Sequence, residues 1–278
     1  MKAWGARRAL DEAIRTRNFA RNVTAAQEPS RILIFYAFAR ELAHFKHRLE
    51  ARSALETEGL HGLRGRIGKA ELTLVATGMG AMRARQTAHR ALEIFSGTKL
   101  IISAGVAGAL SEGLEPGDVI IADRLLLGGK ESFRADHILA LEPEQVRAAE
   151  YAMREAKVRF ATGAMLTASR VLADSAAKRL AKEQSGAIAV DMESAVLGLE
   201  AAARGIPFVC VRAVLDTVDD EIPAAELGAA DGRVRPLAAT AFLVRHPATI
   251  LKLPRLMRNL SRATARLADA LDAITRNA

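Results

Sequence analysis

The sequence predicts an α/β fold, in which apolar strands alternate with helices along one large domain. Short apolar runs recur through the 278 residues, and several lead into segments whose apolar residues have helical spacing. Half of the residues are hydrophobic, which is typical of a globular chain with a sizeable core. The clearest unit spans residues 187–223, where a strand, a helix and a second strand follow one another.

The chain is basic, with 40 Lys and Arg residues against 32 Asp and Glu and a net charge of +8. This excess suits nucleic acid, an anionic membrane surface or an anionic substrate. Aromatic residues make up only 4%, which argues against a surface that stacks nucleic-acid bases, so no nucleic-acid partner is expected. The sole cysteine, Cys210, lies inside an apolar run and is predicted to be a buried core residue.

No export signal is expected at the start of this sequence. Residues 1–29 form a basic extension in which positions 4–19 could make an amphipathic helix. Arg7 and Arg8 are not followed by the apolar region of a signal peptide, and no stretch is long and apolar enough to span a bilayer. We therefore expect a cytoplasmic protein.

The first two thirds of the chain alternate strands with helices and glycine-containing turns. A buried strand at 31–38 leads into a helix with Glu41 in its first turn, where a carboxylate interacts favourably with the helix dipole. A strand at 71–76 runs into the turn 77–80. The further elements predicted before residue 187 are a helix at 81–95, a strand at 99–103 with a glycine-containing segment at 104–110, a turn at 115–118, a strand at 119–122, a loop over the sheet at 123–140, a helix at 142–157, a strand at 160–167 and a surface helix at 171–184.

Acidic residues follow both strands of the central unit. The strand at 187–190 is followed by Asp191 and Glu193, and the strand at 208–214 leads to Asp216. Ligands of open α/β sheets bind at the carboxyl ends of strands, which makes these acids candidates for a functional site. The alternative is that Asp191 and Glu193 only cap the helix and that Asp216 faces solvent.

The chain changes character after Pro223. A loop-like segment precedes residues 241–278, which carry seven basic residues against two acidic ones beside an apolar face. A basic amphipathic segment of this kind either lies on an anionic membrane surface or packs its apolar face on the protein itself.

Three motifs, each following a predicted strand or containing one, resemble one family. They are IISAGVAGALSEGLEPGDVIIAD at 101–123, AVDMESAVL at 189–197 and VRAVLD at 211–216. In order and spacing, the chain from 31 to 218 is similar to the nucleoside phosphorylase/nucleosidase superfamily, which includes 5′-methylthioadenosine/S-adenosylhomocysteine nucleosidase. The resemblance implies a three-layer α/β/α sandwich with a central mixed, partly barrel-like sheet.

The resemblance also implies roles for individual residues. Glu193 would hold the ribose 2′- and 3′-hydroxyls, since a carboxylate accepts two hydrogen bonds. Asp216 would protonate or hydrogen-bond N7 of the purine, while Glu41 would activate water with help from Arg212. The residues that the resemblance places against the base and the sugar are Met192, Gly105, Val106, Ala107, Gly108, Val171 and Leu172.

This chain departs from the family's phosphate site. Where phosphorylases place an arginine and a serine on phosphate, it has Ser103 and Val106, which favours water as the nucleophile. Arg83 or Arg85 could replace them, so phosphorolysis with phosphate as co-substrate stays open. Leu215 stands where a serine often precedes the aspartate. No metal or organic cofactor is indicated.

A closer likeness concerns the C-terminal half. AVDMES, GIPF, VRAVLDTVDDEIP, DGRV and the basic tail resemble the hopanoid-biosynthesis-associated phosphorylase family. That family is taken to remove adenine from adenosylhopane. The likeness therefore implies a lipid-linked nucleoside and a location peripheral to the inner membrane, with the C-terminal segment in contact with the bilayer. Members of the superfamily tend to form dimers in which a neighbour closes the pocket, so a homodimer is expected.

The favoured interpretation is an enzyme that cleaves the N-glycosidic bond of a purine nucleoside, with adenine as the expected base. Its catalytic domain would be residues 30–223, between basic extensions at 1–29 and 224–278. The alternatives within the family are a methylthioadenosine/S-adenosylhomocysteine nucleosidase and a phosphate-dependent nucleoside phosphorylase. Outside that class, the chain would be a nucleoside-binding module without turnover, or a basic protein that associates with membranes or nucleic acid.

Overall fold

A computed structural model of the protein describes residues 30–129, 132–222 and 247–278. The predicted helix at 4–19 and the DGRV motif lie outside these described residues. The strands are β1 (Arg31–Tyr36), β2 (Glu50–Thr57), β3 (Leu60–Ile67), β4 (Ala70–Ala76), β5 (Leu100–Ala109), β6 (Val119–Gly128), β7 (Ala135–Ala140), β8 (Phe160–Thr167), β9 (Ala189–Asp191) and β10 (Phe208–Asp216). The helices are α1 (Ala81–Ile94), α2 (Pro143–Glu155), α3 (Ser175–Ser185), α4 (Ser194–Ala202) and α5 (Pro247–Asn277), with a short 3₁₀-helix at Phe45–Arg48.

The described strands form one mixed sheet in the order β2-β3-β4-β1-β5-β9-β8-β6-β10, with β7 paired to β6. The last strand, β10, also pairs with β5 in parallel, so β5, β9, β8, β6 and β10 close into a ring. Parallel pairs such as β1–β4 and antiparallel pairs such as β6–β10 occur in the same sheet. The sheet is therefore mixed and partly barrel-like, as the resemblance implies.

Helices cover both faces of the sheet. Successive side chains of a strand point to opposite faces, and β1 is buried on both: Ile34 packs with α2 and α5, while Phe35 packs with α1 and α4. Met153 of α2 and Leu271 of α5 lie in the first of these cores, and Ala88 of α1 in the second. The three-layer α/β/α sandwich is confirmed.

The segment after β1 is not the predicted helix. Residues 37–44 form turns, and only the 3₁₀-helix Phe45–Arg48 follows. The Glu41 carboxylate accepts hydrogen bonds from the backbone N–H groups of Ala37 and Phe38, and such local side-chain bonds compete with helix formation. Glu41 is therefore held by the preceding turn rather than by a helix.

The predicted loop at 123–140 is also wrong over most of its length. Strand β6 continues to Gly128 and pairs with β7 in an antiparallel arrangement that sets Arg124 opposite Ala140. Similarly, the predicted glycine-containing segment at 104–110 is mostly the continuation of β5. The residues of the segment 123–140 are of mixed polarity because β6 and β7 are partly exposed. Those of the segment 104–110 are small because β5 is closely paired with β10.

The second half of α5 packs on the protein. Ala263, Leu267, Leu271 and Ile274 are at most 5% exposed and belong to the core between α2 and the sheet. The charged side of α5 also contacts the rest of the protein, since Asp269 forms an ion pair with Arg48 at 2.5 Å. No helix in the described part of the chain is long and apolar enough to cross a membrane.

Candidate active site

The site lies where the carboxyl ends of β5 and β10 run side by side. Their parallel register sets Arg212 opposite Gly105 and Asp216 opposite Gly108. A Cβ atom at Gly105 would collide with the Arg212 guanidinium and the Glu41 carboxylate. A side chain at Gly105 would therefore exclude the two charged groups that meet there, which explains a glycine in the middle of a strand.

Arg212 is the buried anchor of this region. Its Nη2 donates to the hydroxyls of Ser103 and Ser194, at 2.9 Å each, and pairs with Asp191 at 2.8 Å. Asp191 in turn accepts bonds from the Thr167 hydroxyl at 2.7 Å and from the backbone N–H of Ser194 at 3.0 Å. The network joins β5, β8, β9, β10 and the start of α4, so the interpretation of Asp191 as a structural residue is the better one.

Glu41 is buried and held by three backbone donors. Its Oε2 accepts from the N–H groups of Ala37 at 2.7 Å and Phe38 at 3.1 Å, and its Oε1 from Val106 at 3.0 Å. Burial raises the pKa of this carboxyl, and the positive charge of Arg212 opposes that rise. The carboxylate thus bridges the turn after β1 to the end of β5.

Glu193 lies at the start of α4, after the half-buried Met192, and faces the turn at 77–80. Its Oε1 accepts the backbone N–H of Gly80 at 2.7 Å, while no hydrogen bond from the described residues reaches Oε2. Gly80 has a φ of 98°, which favours glycine. Burial, and next the charge of Asp191, raise the pKa of Glu193 to about 7.

Asp216 is the last residue of β10 and only 3% exposed, so it does not face solvent as the alternative interpretation holds. Its Oδ2 accepts a hydrogen bond from Nζ of Lys178, at 2.5 Å. Burial raises the pKa of Asp216 to about 6, although the charge of Lys178 acts in the opposite direction. A carboxyl with a pKa of about 6 is protonated in about half of the molecules at pH 6 and in about one in ten at pH 7.

Lys178 is a site residue that sequence reasoning missed. The segment at 171–184 alternates charged residues with alanines and predicts a surface helix, yet Lys178 is fully buried. The available signal was its spacing, because it lies three residues before the buried Ala181 and hence on the inward face of α3.

Asp216 lines a cleft of about 210 Å³ beside the turn at 219–222 and α5. Leu172 packs in the buried cluster that contains Leu110 and Val190, and Val171 is half-buried. Of the two arginines that could replace the phosphate ligands, Arg85 is largely exposed and pairs with Glu200 at 3.1 Å, whereas the Arg83 side chain lies beside Gly78 in the turn at 77–80. The residues of α5 that line the cleft are Arg255, Leu256 and Asn259.

Solved structures share this fold at low sequence identity. The 5′-methylthioadenosine/S-adenosylhomocysteine nucleosidase of Neisseria meningitidis, bound to methylthio-immucillin-A, is 18% identical with a TM-score of 0.69, covering 90% of this chain and 100% of that one. The futalosine hydrolase of Helicobacter pylori is 16% identical with a TM-score of 0.68, covering 90% and 99%. The S-adenosylhomocysteine nucleosidase of Streptococcus pyogenes, bound to 5-methylthiotubericidin, is 23% identical with a TM-score of 0.66, covering 89% and 98%.

A family model adds a match at the level of sequence. The model described as the phosphorylase superfamily matches residues 31–244, which include the three motifs and the candidate residues from Glu41 to Asp216. The match covers most of the sequence, and the fold agrees with it. The chain therefore belongs to the phosphorylase superfamily.

Proposed function

We propose that this chain cleaves the N-glycosidic bond of a purine nucleoside and releases adenine. The observation that carries the proposal is Asp216, a buried carboxyl at the carboxyl end of β10, next to an open cleft. Its raised pKa suits a general acid that works near neutral pH. Adenine leaves poorly until N7 is protonated, and general acid catalysis of such a step is worth about 10²–10⁴-fold.

Glu193 would bind the sugar of the nucleoside. Glu193 has Oε1 fixed by Gly80, which leaves Oε2 to accept a ribose hydroxyl. The resemblance assigns the 2′- and 3′-hydroxyls to this residue. Because the C1′–N9 bond breaks with positive charge developing on the sugar, nearby carboxylates also stabilise the transition state electrostatically.

Water is the nucleophile that the geometry favours. Glu41 accepts three backbone hydrogen bonds, and a carboxylate has about four acceptor positions, so one remains for a water molecule. Ser103, which stands in the family's phosphate region, already accepts a bond from Arg212, and Arg212 is neutralised by Asp191. Ser103 and Arg212 therefore offer few free donors to a phosphate ion, and hydrolysis is proposed over phosphorolysis.

A second candidate substrate is a nucleoside with an apolar 5′ substituent. The cleft beside Asp216 is lined in part by Arg255, Leu256 and Asn259 of α5, and Met257 of the same helix is 47% exposed. The exposed residues of this stretch include Arg255, Arg258 and Arg262, which suit an anionic lipid surface. This supports a lipid-linked nucleoside of the kind that the resemblance implies.

The test is adenine release from three nucleosides with and without phosphate. We expect release from adenosine, methylthioadenosine or a long-chain 5′-alkyl adenosine in detergent micelles, without any requirement for phosphate. A preference for the alkyl substrate would support the lipid-linked candidate. Strict dependence on phosphate would overturn the hydrolytic assignment. No release from any of the three would leave a nucleoside-binding module as the better interpretation.

A further inference from the structure

Lys178 is a fully buried lysine whose three N–H donors all have acceptors. Its Nζ donates to Oδ2 of Asp216 at 2.5 Å and to the backbone carbonyls of Thr217 and Asp220 at 2.7 Å each. A lysine ammonium has three donors, so this set is complete. The lysine therefore joins α3 to the end of β10 and to the turn that follows it.

The two carboxylate oxygens of Asp216 differ in their hydrogen bonds. Oδ2 is fixed by Lys178, whereas no hydrogen bond from the described residues reaches Oδ1. Asp216 also lines the cleft. With Oδ2 held from the side of α3, Oδ1 is the oxygen available to a ligand in the cleft.

We propose that Lys178 is a positioning residue, which holds Oδ2 of Asp216 and so presents Oδ1 to N7 of the departing base. This inference rests on the proposed function. In the step, the proton on Oδ1 moves to N7 while the electron pair of the C1′–N9 bond moves onto the base. A water molecule forms the new bond to C1′ and gives up its proton to the Glu41 carboxylate. The carboxylate left behind is paired with the Lys178 ammonium, and solvent returns the proton after the base has left.

The other charged groups near Asp216 do not replace Lys178. Asp220, in the turn after β10, raises the pKa of Asp216 and is itself paired with Arg255 of α5 at 2.8 Å. Asp219 lies in the same turn and pairs with Arg179 of α3 at 2.6 Å. Glu221 completes the acidic lining of the cleft. Among the described residues, Lys178 is the cation in direct contact with Asp216.

The experiment compares Lys178→Met and Lys178→Arg with the wild type in pH–rate profiles of adenine release. Lys178→Met removes the charge that lowers the pKa of Asp216. The alkaline limb should therefore move up by about one to three pH units, while the maximal rate falls about 10-fold or more because the acid is less well placed. Lys178→Arg keeps the charge, so its limb should stay near that of the wild type while its rate falls.

A second substrate separates positioning from a general loss of structure. A para-nitrophenyl riboside has a leaving group that needs no proton, so both Lys178 variants should cleave it at close to the wild-type rate. Lys182→Met is the matched control, since Lys182 lies one turn along α3 and bonds to the Ser111 hydroxyl at 2.9 Å. Its profile should be that of the wild type.

The outcomes separate the two proposals. An active wild type with an unmoved limb in Lys178→Met, or equal losses on both substrates, would overturn the role of Lys178. If Lys178→Met does not fold, the substrate comparison with Lys178→Arg decides in the same way. A wild type that releases no base from any nucleoside would instead contradict the proposed function.

Discussion

Replacing Asp216 with Asn should lower adenine release by about 10²–10⁴-fold. Asn has nearly the shape of Asp and its carbonyl oxygen can still accept the bond from Lys178, but its amide cannot deliver a proton to N7. In the proposed mechanism the protonated form of Asp216 is the active one, and burial raises its pKa to about 6. The wild-type rate should therefore fall as the pH rises above about 6, and this limb should disappear in the variant.

The measurement is the rate of adenine release between about pH 5 and about pH 9, a range that includes the pKa of about 6, beside a thermal melt of each protein. Asp136→Asn is the control, because Asp136 is exposed on β7 and lies outside the site. It should retain wild-type activity. Wild-type turnover by a folded Asp216→Asn protein would remove Asp216 from the role of general acid.

Replacing Arg212 with Met should cost about 3–5 kcal/mol of unfolding free energy, because it leaves a buried carboxylate without its cation. Asp191 would keep its bonds from Thr167 and Ser194 but lose the ion pair at 2.8 Å. Ser103 would also lose its bond from Arg212. The site should lose activity with the same substitution, since the guanidinium lies beside Glu41 over Gly105.

Urea unfolding measures this loss, and two further variants test its cause. Arg85→Met removes an arginine whose side chain is 72% exposed, so its ion pair with Glu200 should contribute less than about 1 kcal/mol. The double variant Asp191→Asn with Arg212→Met removes both charges and should recover part of the stability. If the double variant is no more stable than Arg212→Met alone, the uncompensated charge of Asp191 is not the cause.

The sequence was most informative for elements whose structure follows from their own residues. The run at 208–214 is apolar and β-branched, so it predicts a buried strand, and β10 with Asp216 at its end confirms it. The motifs that carry the family resemblance lie on β5, β9 and β10, and they predicted the sandwich fold. Local pattern and family motifs were sufficient there because strand burial and strand ends are both visible in the chain itself.

Contacts between distant segments could not be predicted in this way. In the sequence of its own helix, Lys178 resembles an ordinary surface lysine. It is held beside Asp216 by the turn after β10, whose backbone carbonyls accept hydrogen bonds from its Nζ. The hairpin of β2 and β3 was not predicted, because β2 is an edge strand with most of its side chains exposed and so lacks an apolar alternation. Glu41 was placed in a helix, and its hydrogen bond from the backbone N–H of Val106, 65 residues further along the chain, is a tertiary contact that the local pattern does not show.

The closure of the sheet by β10 also governs the order in which the protein can fold. The ring is complete only when β10, the last described strand of the chain, has paired with both β5 and β6, which precede it by long stretches of sequence. Pairing of such distant segments is slow, because the loop entropy must be lost before the contacts form. A growing chain on the ribosome lacks Arg212 and Asp216 until β10 emerges, so the candidate site is assembled among the last events of folding.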